Sequence, residues 1–330
     1  MTPEELADAL ADQILGSARL TSDQVVAGSD GGTLDEATEL WLSLGFPPVD
    51  PGDAAFTEAD AEALASVMAL RQLGYDSTEV VIPMTRVLGQ ALARVATAQA
   101  QAFHDGLLAA IDPDDGAAAG SDDLAGPTVD AIAELLVPRF ESFVSYVWRR
   151  HLVAAIRRDL LGATETLTVG FADLVGFTRE TRGLADAELS ELLTRFQRIA
   201  TEQVTASGAR IVKLLGDGVM FATSVPEQAA RAALGLVEAC EADEVVPSVR
   251  VGLARGHVVE LEGDLFGETV NRSSRLADAA FPGSVLADPD AAEALDAVDA
   301  LWVKRTPPHK LKGLGRVATS RVRWAGPDRG

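Results

Sequence analysis

The sequence predicts two domains, an all-α domain in residues 1–160 and an α+β domain in residues 162–330 with a mostly antiparallel sheet. In the first range, apolar residues recur at spacings of three and four, which is typical of amphipathic helices. In the second range, strand-like runs and helices mix without the regular alternation that a parallel sheet requires. A length of 330 residues agrees with two domains.

The composition limits the kinds of partner that we expect. The formal net charge is −22, so the chain lacks the basic character of a general nucleic-acid binder or of a protein that docks on anionic membranes. Its first residues do not resemble a signal peptide, and no apolar run is long enough to span a bilayer. Cys240 is the single cysteine, which excludes an intrachain disulfide. We therefore expect a cytoplasmic protein that neither binds nucleic acid nor spans a membrane.

Capping residues and periodicity predict five helices in the first domain, over residues 2–15, 33–44, 57–73, 77–108 and 129–161. Either Thr33 or Asp35 begins the second of them. Thr57 and Asp60 resemble a capping box at the start of the third, because the hydroxyl and the carboxylate are spaced to satisfy two amides reciprocally.

The helix over residues 129–161 is predicted to connect the two domains. Its apolar side chains advance four residues at a time and form one stripe: Val144, Trp148, Leu152, Ile156 and Leu160. Basic residues flank the stripe: Arg149, Arg150, His151, Arg157 and Arg158. This flank is either a solvated face or a surface that contacts the acidic second domain. Histidine titrates near neutral pH, so His151 is a candidate proton sensor, although a single histidine is more often structural.

Strand, helix and turn signals order the second domain. They predict a strand over 167–174, a helix over 186–207, a hairpin over 209–223, a helix over 226–241, a strand over 249–261, a helix over 268–280 and strands over 284–287 and 317–324. The hairpin turn is Gly216-Asp217-Gly218, and Gly256 is a candidate break in the strand that it interrupts.

Two aspartates stand at positions that suit metal binding. Asp173 ends an apolar strand, and Asp217 lies between two glycines in the hairpin turn. Carboxylates in these two settings can meet at one edge of a sheet. Mg²⁺ usually takes one or two carboxylates and completes its octahedron with water and phosphate oxygens. Taken alone, each aspartate is more often a turn residue.

Three segments resemble, in order, the motifs of the class III nucleotidyl cyclases. They are residues 171–178, 213–217 and 264–275, and the resemblance covers about residues 164–324. One such motif is a weak signal, but three in order with their polar residues present are specific. The resemblance implies the cyclase fold, a ferredoxin-like or palm-like α+β domain.

The resemblance also implies a role for each polar residue. Asp173 and Asp217 bind two Mg²⁺ or Mn²⁺ ions, and Lys213 and Asp264 read the edge of adenine. Family members that prefer GTP usually carry Glu and Cys or similar residues at the latter two positions. The Lys–Asp pair therefore implies ATP as the substrate.

Asn271 and Arg275 lie four residues apart and share one face of a helix. The resemblance assigns the ribose to Asn271 and the phosphoryl charge of the transition state to Arg275. Lys312 resembles a lysine that contacts the triphosphate, with Lys310 as the competing assignment. The implied phosphate loop comprises Val175, Gly176, Phe177 and Thr178.

One position departs from the pattern. His257 stands where some relatives carry a phosphate-binding arginine, and Arg255 is a candidate substitute. The resemblance further implies a homodimer, because in this fold the metal aspartates come from one subunit and the adenine readers with the Asn/Arg pair come from the other. A single chain carries one complete set, which agrees with two symmetric sites.

The expected activity is conversion of ATP to 3′,5′-cyclic AMP and pyrophosphate by in-line attack of the ribose 3′-hydroxyl. Lys213 and Asp264 disfavour a guanylate cyclase. A catalytically inactive signalling module is disfavoured because none of the catalytic and metal positions is lost. A diguanylate cyclase would carry a Gly-Gly-acidic-acidic-Phe hairpin, which is not the sequence of this hairpin.

The first domain is similar, more loosely, to the helical autoregulatory domain of mycobacterial-type, pH-responsive adenylate cyclases. The similar segments are residues 70–100 and 135–160. This resemblance implies a domain that dimerises and controls how two catalytic domains meet. A proton or a small apolar ligand is the candidate signal.

Overall fold

The structure is a computed structural model that describes residues 3–17, 19–28, 32–50, 52–75, 77–110, 131–160, 166–177 and 183–326. The chain divides into two compact units, Met1–Arg157 and Arg158–Gly330. No helix in the described part of the chain has both the length and the apolar character needed to cross a bilayer.

Helices build the first unit. They are α1 (Pro3–Leu15), α2 (Ser22–Ala27), α3 (Leu34–Ser43), α4 (Glu58–Gln72), α5 (Ile82–Ala110) and α6 (Val137–Leu160). A π-helical turn, Ser77–Val81, precedes α5, and a second one, Ala131–Leu136, precedes α6. The predicted helix over 129–161 thus corresponds to the second π-helical turn and α6, while residues 129, 130 and 161 lie outside the described ranges.

Capping explains two of the helix starts. Thr33 caps α3, since its hydroxyl accepts from the N–H of Glu36 at 3.2 Å and the Glu36 carboxylate accepts from the N–H of Thr33 at 2.9 Å. Thr33 rather than Asp35 therefore begins this helix. Thr57 and Asp60 form the predicted reciprocal pair at α4. Helix α2 was not predicted, because six residues are too few for a periodic pattern to emerge.

The core of the first unit forms around Trp41. Its ring packs 4.5 Å from that of Phe46 and 4.8 Å from that of Phe56, and its indole N–H donates to the carbonyl of Pro47 at 2.9 Å. Val25, Leu40, Phe56, Leu64 and Met68 are buried in this cluster. The apolar stripe of α6 is exposed instead: Trp148 by 56%, Leu152 by 40%, Ile156 by 46% and Leu160 by 81%.

A seven-stranded sheet forms the centre of the second unit within the described residues. Its strands are β1 (Thr166–Leu174), β2 (Arg210–Leu214), β3 (Gly218–Thr223), β4 (Val249–His257), β7 (Ser284–Ala287), β8 (Leu301–Leu311) and β9 (Gly315–Trp324), in the order β2-β3-β1-β4-β7-β9-β8. Only β4 and β7 pair in parallel, so the sheet is mostly antiparallel, as predicted. Strands β5 (Val259–Leu261) and β6 (Asp264–Phe266) pair separately.

Helices cover both faces of this sheet. They are α7 (Asp186–Ala206), α8 (Pro226–Ala242), α9 (Glu268–Ala279) and α10 (Pro289–Asp296). Side chains of α7, α8 and α10 bury one face of the sheet, where Phe196 and Leu236 pack with Phe221. Helix α9 covers the other face, where Leu276 packs against Ala254. Alternate residues of a strand point to opposite faces, so β1 and β4 supply both cores.

Cys240 lies near the end of α8, and its side chain is buried in the core. Burial, reinforced by the nearby charges of Asp243 and Glu241, raises the pKa of the Cys240 thiol to about 12. The thiol is therefore protonated at neutral pH and packs as a small apolar group. Nothing about this cysteine points to catalysis.

The second unit differs from the sequence prediction in four respects. Strands β8 and β6 and helix α10 were not predicted. Strand β8 contains Pro307 and Pro308, which argue against a strand in the sequence. The prolines are tolerated because β8 is an edge strand and its register with β9 shifts between Thr306 and His309. The predicted strand over 249–261 breaks at Val258 rather than at Gly256.

The seat of α9 on the sheet depends on close backbone packing. A Cβ at Gly252 in β4 would lie 2.2 Å from the carbonyl oxygen of Ser273 and 2.3 Å from the amide nitrogen of Ala277, which only glycine avoids. The buried Ser273 hydroxyl lies 2.9 Å from the carbonyl oxygens of both Val169 and Gly252. Helix α9 is thus held against β1 and β4 by a hydrogen bond and by the absence of a side chain.

We predict that Gly252→Ala destabilises the second unit. Because the added methyl group meets helix backbone on one side, we expect the free energy of unfolding to fall by about 1–3 kcal/mol, the usual cost of overpacking. Chemical denaturation followed by tryptophan fluorescence measures the change. Gly326→Ala, where a Cβ meets nothing within 4 Å, is the control. Equal stability of the two variants would contradict the close packing of α9.

Candidate active site

Asp173 and Asp217 come together at one end of the sheet. Strand β1 pairs antiparallel with β3, which places Asp173 opposite Gly218, the residue that follows Asp217. The N–H of Leu174 donates to the carbonyl oxygen of Asp217 at 2.9 Å. The turn is closed by a hydrogen bond from the N–H of Leu215 to the carbonyl oxygen of Gly218 at 2.8 Å. The structure therefore brings the two candidate metal ligands to neighbouring positions.

The surroundings of Asp173 balance opposing effects. Burial raises the pKa of Asp173, and the nearby charge of Asp217 adds to the rise, while Arg250 works against it. Arg250 donates to Oδ2 of Asp173 from Nη2 at 2.7 Å and from Nε at 3.2 Å. The sequence did not single out Arg250 as a site residue, because its contact with Asp173 depends on the pairing of β1 with β4.

The donor set fits a hard divalent cation. Two carboxylates are what Mg²⁺ or Mn²⁺ commonly takes from a protein when phosphate and water oxygens supply the other ligands. Over the described residues, no group of three or more Asp, Glu, His or Cys side chains is arranged to hold a metal ion. Both contacts of Arg250 go to Oδ2 of Asp173, so Oδ1 takes no part in them. Asp217 lies close enough for its charge to raise the pKa of Asp173. The two carboxylates therefore fit a divalent cation that they share.

Lys213 and Asp264 are in direct contact. The Nζ of Lys213 in β2 lies 2.5 Å from Oδ2 of Asp264 in β6, although 51 residues separate them in the chain. Both side chains are about one-third exposed, so a ligand can reach them. Oδ1 of Asp264 also accepts from the N–H of Leu265 at 2.8 Å, which orients the carboxylate. The structure thus presents a donor and an acceptor side by side.

Helix α9 carries Asn271 and Arg275 on the side away from its buried contacts. Asn271 is exposed, and the Arg275 side chain is 43% exposed and pairs with Asp278 at 3.3 Å. Arg272, on the same helix, pairs with Oδ2 of the fully buried Asp288 at 2.9 Å. The sequence analysis did not identify the pair of Arg272 and Asp288. The Asp288-Pro289 sequence is typical of a helix start and could have indicated that Asp288 has a structural role.

Asp288 holds three elements together. Its Oδ1 accepts from the N–H of Ala291, at the start of α10, at 2.8 Å and from the N–H of Arg255 in β4 at 3.3 Å. Burial raises the pKa of Asp288, while these hydrogen bonds and Arg272 oppose the rise. A buried carboxylate of this kind requires its partners, because removing one leaves an uncompensated charge. It therefore fixes α9 relative to β4.

Asn271 and Asp173 of one protomer lie towards opposite ends of the contact between α9 and β4. The register places Asp173 opposite Arg250 of β4, whereas a Cβ at Gly256 would touch the hydroxyl of Thr269 in the first turn of α9. Six strand residues between positions 250 and 256 span about 20 Å. Asn271 lies two residues after Thr269 and seven before Asp278, whose carbonyl oxygen accepts from Arg250, so about 10 Å of helix separates Asn271 from the Asp173 end of the sheet.

The phosphate-binding residues implied by the sequence do not all cluster. Lys312 is exposed in the turn between β8 and β9, and four strand spacings from β1 amount to about 19 Å. Gly176 has a φ of 74° that favours glycine, and Phe177 packs against the core. The N–H of Val175 donates to the carbonyl oxygen of Ser248 at 2.9 Å, which argues against Val175 as a phosphate donor. Thr178 lies outside the described residues.

Arg255 does not take the place of the phosphate-binding arginine that some relatives carry at the position of His257. Its guanidinium donates to the hydroxyl of Thr168 at 3.2 Å and to the carbonyl oxygen of Ser224 at 3.4 Å. These contacts lie on the sheet face opposite α9, because residue 255 alternates with residues 252 and 254, which face the helix. His257 is exposed at the end of β4.

Comparisons with known proteins agree on both halves of the chain. Residues 161–322 match the adenylate and guanylate cyclase catalytic domain, and residues 3–149 match the adenylate cyclase regulatory domain. An adenylate cyclase of Streptomyces coelicolor is 39% identical over 299 residues, which cover 88% of this chain and 76% of the relative. A pH-sensitive adenylate cyclase of Mycobacterium tuberculosis is 30% identical over 344 residues, which cover 98% of this chain and 85% of the relative.

Among solved structures, the guanylate cyclase domain of RhGC from Catenaria anguillulae in complex with GTP aligns with 49% of this chain and 97% of its own length. The identity is 20% and the TM-score is 0.46. The two domain matches and the long alignments with relatives carry the assignment. The chain belongs to the class III adenylate cyclase family, in the form that joins an N-terminal regulatory domain to the catalytic domain.

Proposed function

We propose that the protein converts ATP to 3′,5′-cyclic AMP and pyrophosphate, as a homodimer with two symmetric composite sites. The contact between Lys213 and Asp264 at 2.5 Å carries this proposal. Lys213 and Asp217 lie on the same β2–β3 hairpin, and in the proposed dimer these two residues of one protomer serve different sites. The adenylate cyclase names of the 39%-identical relatives support the same activity.

Lys213 and Asp264 favour adenine over guanine. The ammonium group donates to a ring nitrogen, and the carboxylate accepts from the exocyclic amine of adenine. Guanine presents an acceptor where adenine presents that amine. When guanine binds, the carboxylate of Asp264 therefore faces another acceptor and forms no hydrogen bond with it. A site left with unpaired polar groups by the wrong base can discriminate strongly between substrates. Guanylate cyclase activity is therefore the disfavoured alternative.

The remaining roles are those that the resemblance to the cyclase family implies for these positions. Asp173 and Asp217 hold two Mg²⁺ or Mn²⁺ ions, which supply activation of the attacking hydroxyl and neutralise charge on the leaving group when bound. Asn271 orients the ribose, and Arg275 balances the charge that develops on the phosphoryl oxygens. Gly176 and Phe177 line the phosphates. The chain contributes positioning and electrostatics rather than covalent chemistry.

The separation of Asn271 from Asp173 supports the composite site. About 10 Å of helix separates Asn271 from the end of the sheet that carries Asp173, so a site that uses both residues is more readily completed from two protomers. A two-fold dimer brings the Asp173 end of one sheet to the α9 face of the other and creates two equivalent sites. Lys312, about 19 Å across the sheet from β1, likewise acts from the partner subunit.

The first unit, proposed as a domain of residues 1–160 that ends in the connecting helix 129–161, regulates this assembly. The proton is the favoured signal, and His151 is its proposed sensor. This histidine is exposed on α6 among arginines, and one relative is named as pH-sensitive.

A small apolar ligand is the second candidate signal. The first unit holds a cavity of about 150 Å³ lined by residues such as Leu40, Trp41 and Leu64. Typical ligand pockets are larger, so only a small group fits. The cytoplasmic location stays a prediction.

We predict that the purified protein with Mn²⁺ forms 3′,5′-cyclic AMP from ATP and at least about tenfold less cyclic nucleotide from GTP. Asp217→Ala should lower kcat by about 100-fold or more, because it removes half of the metal-binding pair. Product chromatography measures both effects. Asp299→Ala, at an exposed turn position, is the control. Unchanged turnover in Asp217→Ala would refute the assigned site.

We predict that two inactive variants complement each other. Asp217→Ala and Asn271→Ala should each be inactive alone, and an equimolar mixture should recover about one quarter of wild-type activity. Half of randomly formed dimers are mixed, and each mixed dimer holds one intact site of two. Mixing Asp217→Ala with Asp173→Ala should restore nothing, since both lesions lie in the same half-site. Failure of the first mixture to recover activity, with dimers present, would rule out sites shared between subunits.

We predict that His151→Ala flattens the dependence of activity on pH between about 5 and 8, the range in which histidine titrates. Steady-state rates of the full-length protein across this range give the profile. Arg150→Gln removes a neighbouring charge that does not titrate there, so its profile should keep its shape. A wild-type profile in His151→Ala would remove this residue as the sensor.

A further inference from the structure

Arg272 ties α9 to the start of α10. Its Nη1 donates to Oδ2 of Asp288 at 2.9 Å, and its Nη2 donates to Oε1 of Glu268, one turn earlier on α9, at 2.5 Å. The Asp288 side chain is fully buried, and that of Arg272 is 24% exposed. The exposed carboxylate of Asp290 lies 3.8 Å from Nη1. The guanidinium group is therefore held from two sides, by its own helix and by α10.

Backbone groups fix the carboxylate of Asp288 independently of Arg272. Its Oδ1 caps α10 by accepting from the N–H of Ala291 at 2.8 Å, and it accepts from the N–H of Arg255 in β4 at 3.3 Å. Its Oδ2 is the atom that meets Arg272. One oxygen is thus anchored to the sheet and to α10, and the other gives α9 a fixed point to which it attaches.

This ion pair and Ser273 hold α9 on two different sides. The Ser273 hydroxyl reaches the carbonyl oxygens of Val169 and Gly252 on the sheet. Successive helix residues lie about 100° apart around the axis, so contacts made by residues 272 and 273 resist rotation of the helix as well as translation. The exposed side chain of Asn271 has no hydrogen-bond partner among the described residues. The position of the helix therefore aims it.

A small rotation of α9 would displace the side chains on its exposed side. Side-chain atoms lie about 5–6 Å from the helix axis, so a rotation of about 20° moves them by about 2 Å. A misplacement of about 1 Å is enough to lower a rate by as much as about 100-fold. A buried ion pair adds little stability, because desolvation of both charges offsets their attraction. The planar fork of an arginine, however, fixes an orientation.

We propose that Arg272 and Asp288 are positioning residues that set the rotation of α9. In this role they aim Asn271 at the ribose and Arg275 at the phosphoryl oxygens, two roles that rest on the proposed function. The adenine-reading pair and the metal-binding aspartates lie on strands or in a turn. Loss of the ion pair therefore lowers turnover and leaves the binding of ATP nearly unchanged.

The double variant Arg272→Met/Asp288→Asn separates positioning from stability. It removes both charges together and leaves no unpaired charge in the core, so the midpoint of thermal unfolding should stay within about 3 °C of the wild type. The kcat for cyclic AMP formation should nevertheless fall about 10- to 100-fold, with the KM for ATP changed by less than about twofold. A wild-type kcat in this variant would overturn the proposal.

Two further variants control this experiment. Arg198→Met/Glu202→Gln removes an arginine and a carboxylate from an exposed ion pair on α7, so its kcat should equal that of the wild type. Arg272→Lys keeps the charge but lacks the fork that joins Glu268 to Asp288, so its kcat should fall about three- to tenfold. This variant decides the proposal if the double variant does not fold. A wild-type kcat in Arg272→Lys would rule out the orienting role.

Amide hydrogen exchange of the nucleotide-free, full-length protein tests the anchoring of α9 without relying on activity. In Arg272→Met/Asp288→Asn, amides of α9 should exchange at least about threefold faster, while those of α8 keep their wild-type rates. Unchanged exchange in α9 would contradict the anchoring. If the wild type forms no cyclic nucleotide, the proposed function fails together with the roles of Asn271 and Arg275. The exchange rates still decide whether the ion pair holds the helix.

Discussion

The antiparallel pairing of β1 with β3 on one side and β4 on the other is the constraint on which this catalytic domain depends. On the β3 side, Asp173 lies opposite Gly218, next to Asp217 in the hairpin turn. On the β4 side, it lies opposite Arg250. A slip of one residue in either register would turn Asp173 to the opposite face of the sheet. The proximity of Asp173 to Asp217 and Arg250 is therefore a consequence of strand register rather than of any local motif.

Helix α9 is the second element that must be held accurately, because it carries Asn271 and Arg275. Its position relies on three different interactions: the bare backbone of Gly252, the buried hydroxyl of Ser273 and the ion pair with buried Asp288. Each acts on the buried side of the helix and leaves its other side open. Helix α9 is thus firmly attached on one side, while Asn271 and Arg275 lie on its exposed side.

The two units of the chain use contrasting surfaces. The catalytic unit buries apolar residues on both faces of its sheet. In the first unit, α6 exposes an apolar stripe alongside a basic flank. Monomeric proteins rarely expose contiguous apolar patches of this kind without a partner. The catalytic unit thus closes on its own cores, whereas α6 presents apolar side chains to its surroundings.

The sequence by itself determined most of the helices and strands of the catalytic domain, and it supplied the candidate site residues, which stay a prediction. Asp173, Asp217, Lys213 and Asp264 were identifiable because each stands in a local pattern of strand, turn or motif that a linear chain displays. Helices α7, α8 and α9 were predictable because their apolar periodicity is long and regular. The capping box at Thr57 was visible because it involves neighbours four residues apart or fewer.

Only the tertiary structure decided which of these groups meet. The contact between Arg250 and Asp173, the burial of Asp288 and the face on which Arg255 lies all depend on how distant strands pair, and a linear pattern does not encode that pairing. Strand β8 was invisible because edge strands tolerate prolines and charges that mask alternation. The positions of Asn271 and Asp173, towards opposite ends of the contact between α9 and β4, are likewise a property of the packed sheet and helix.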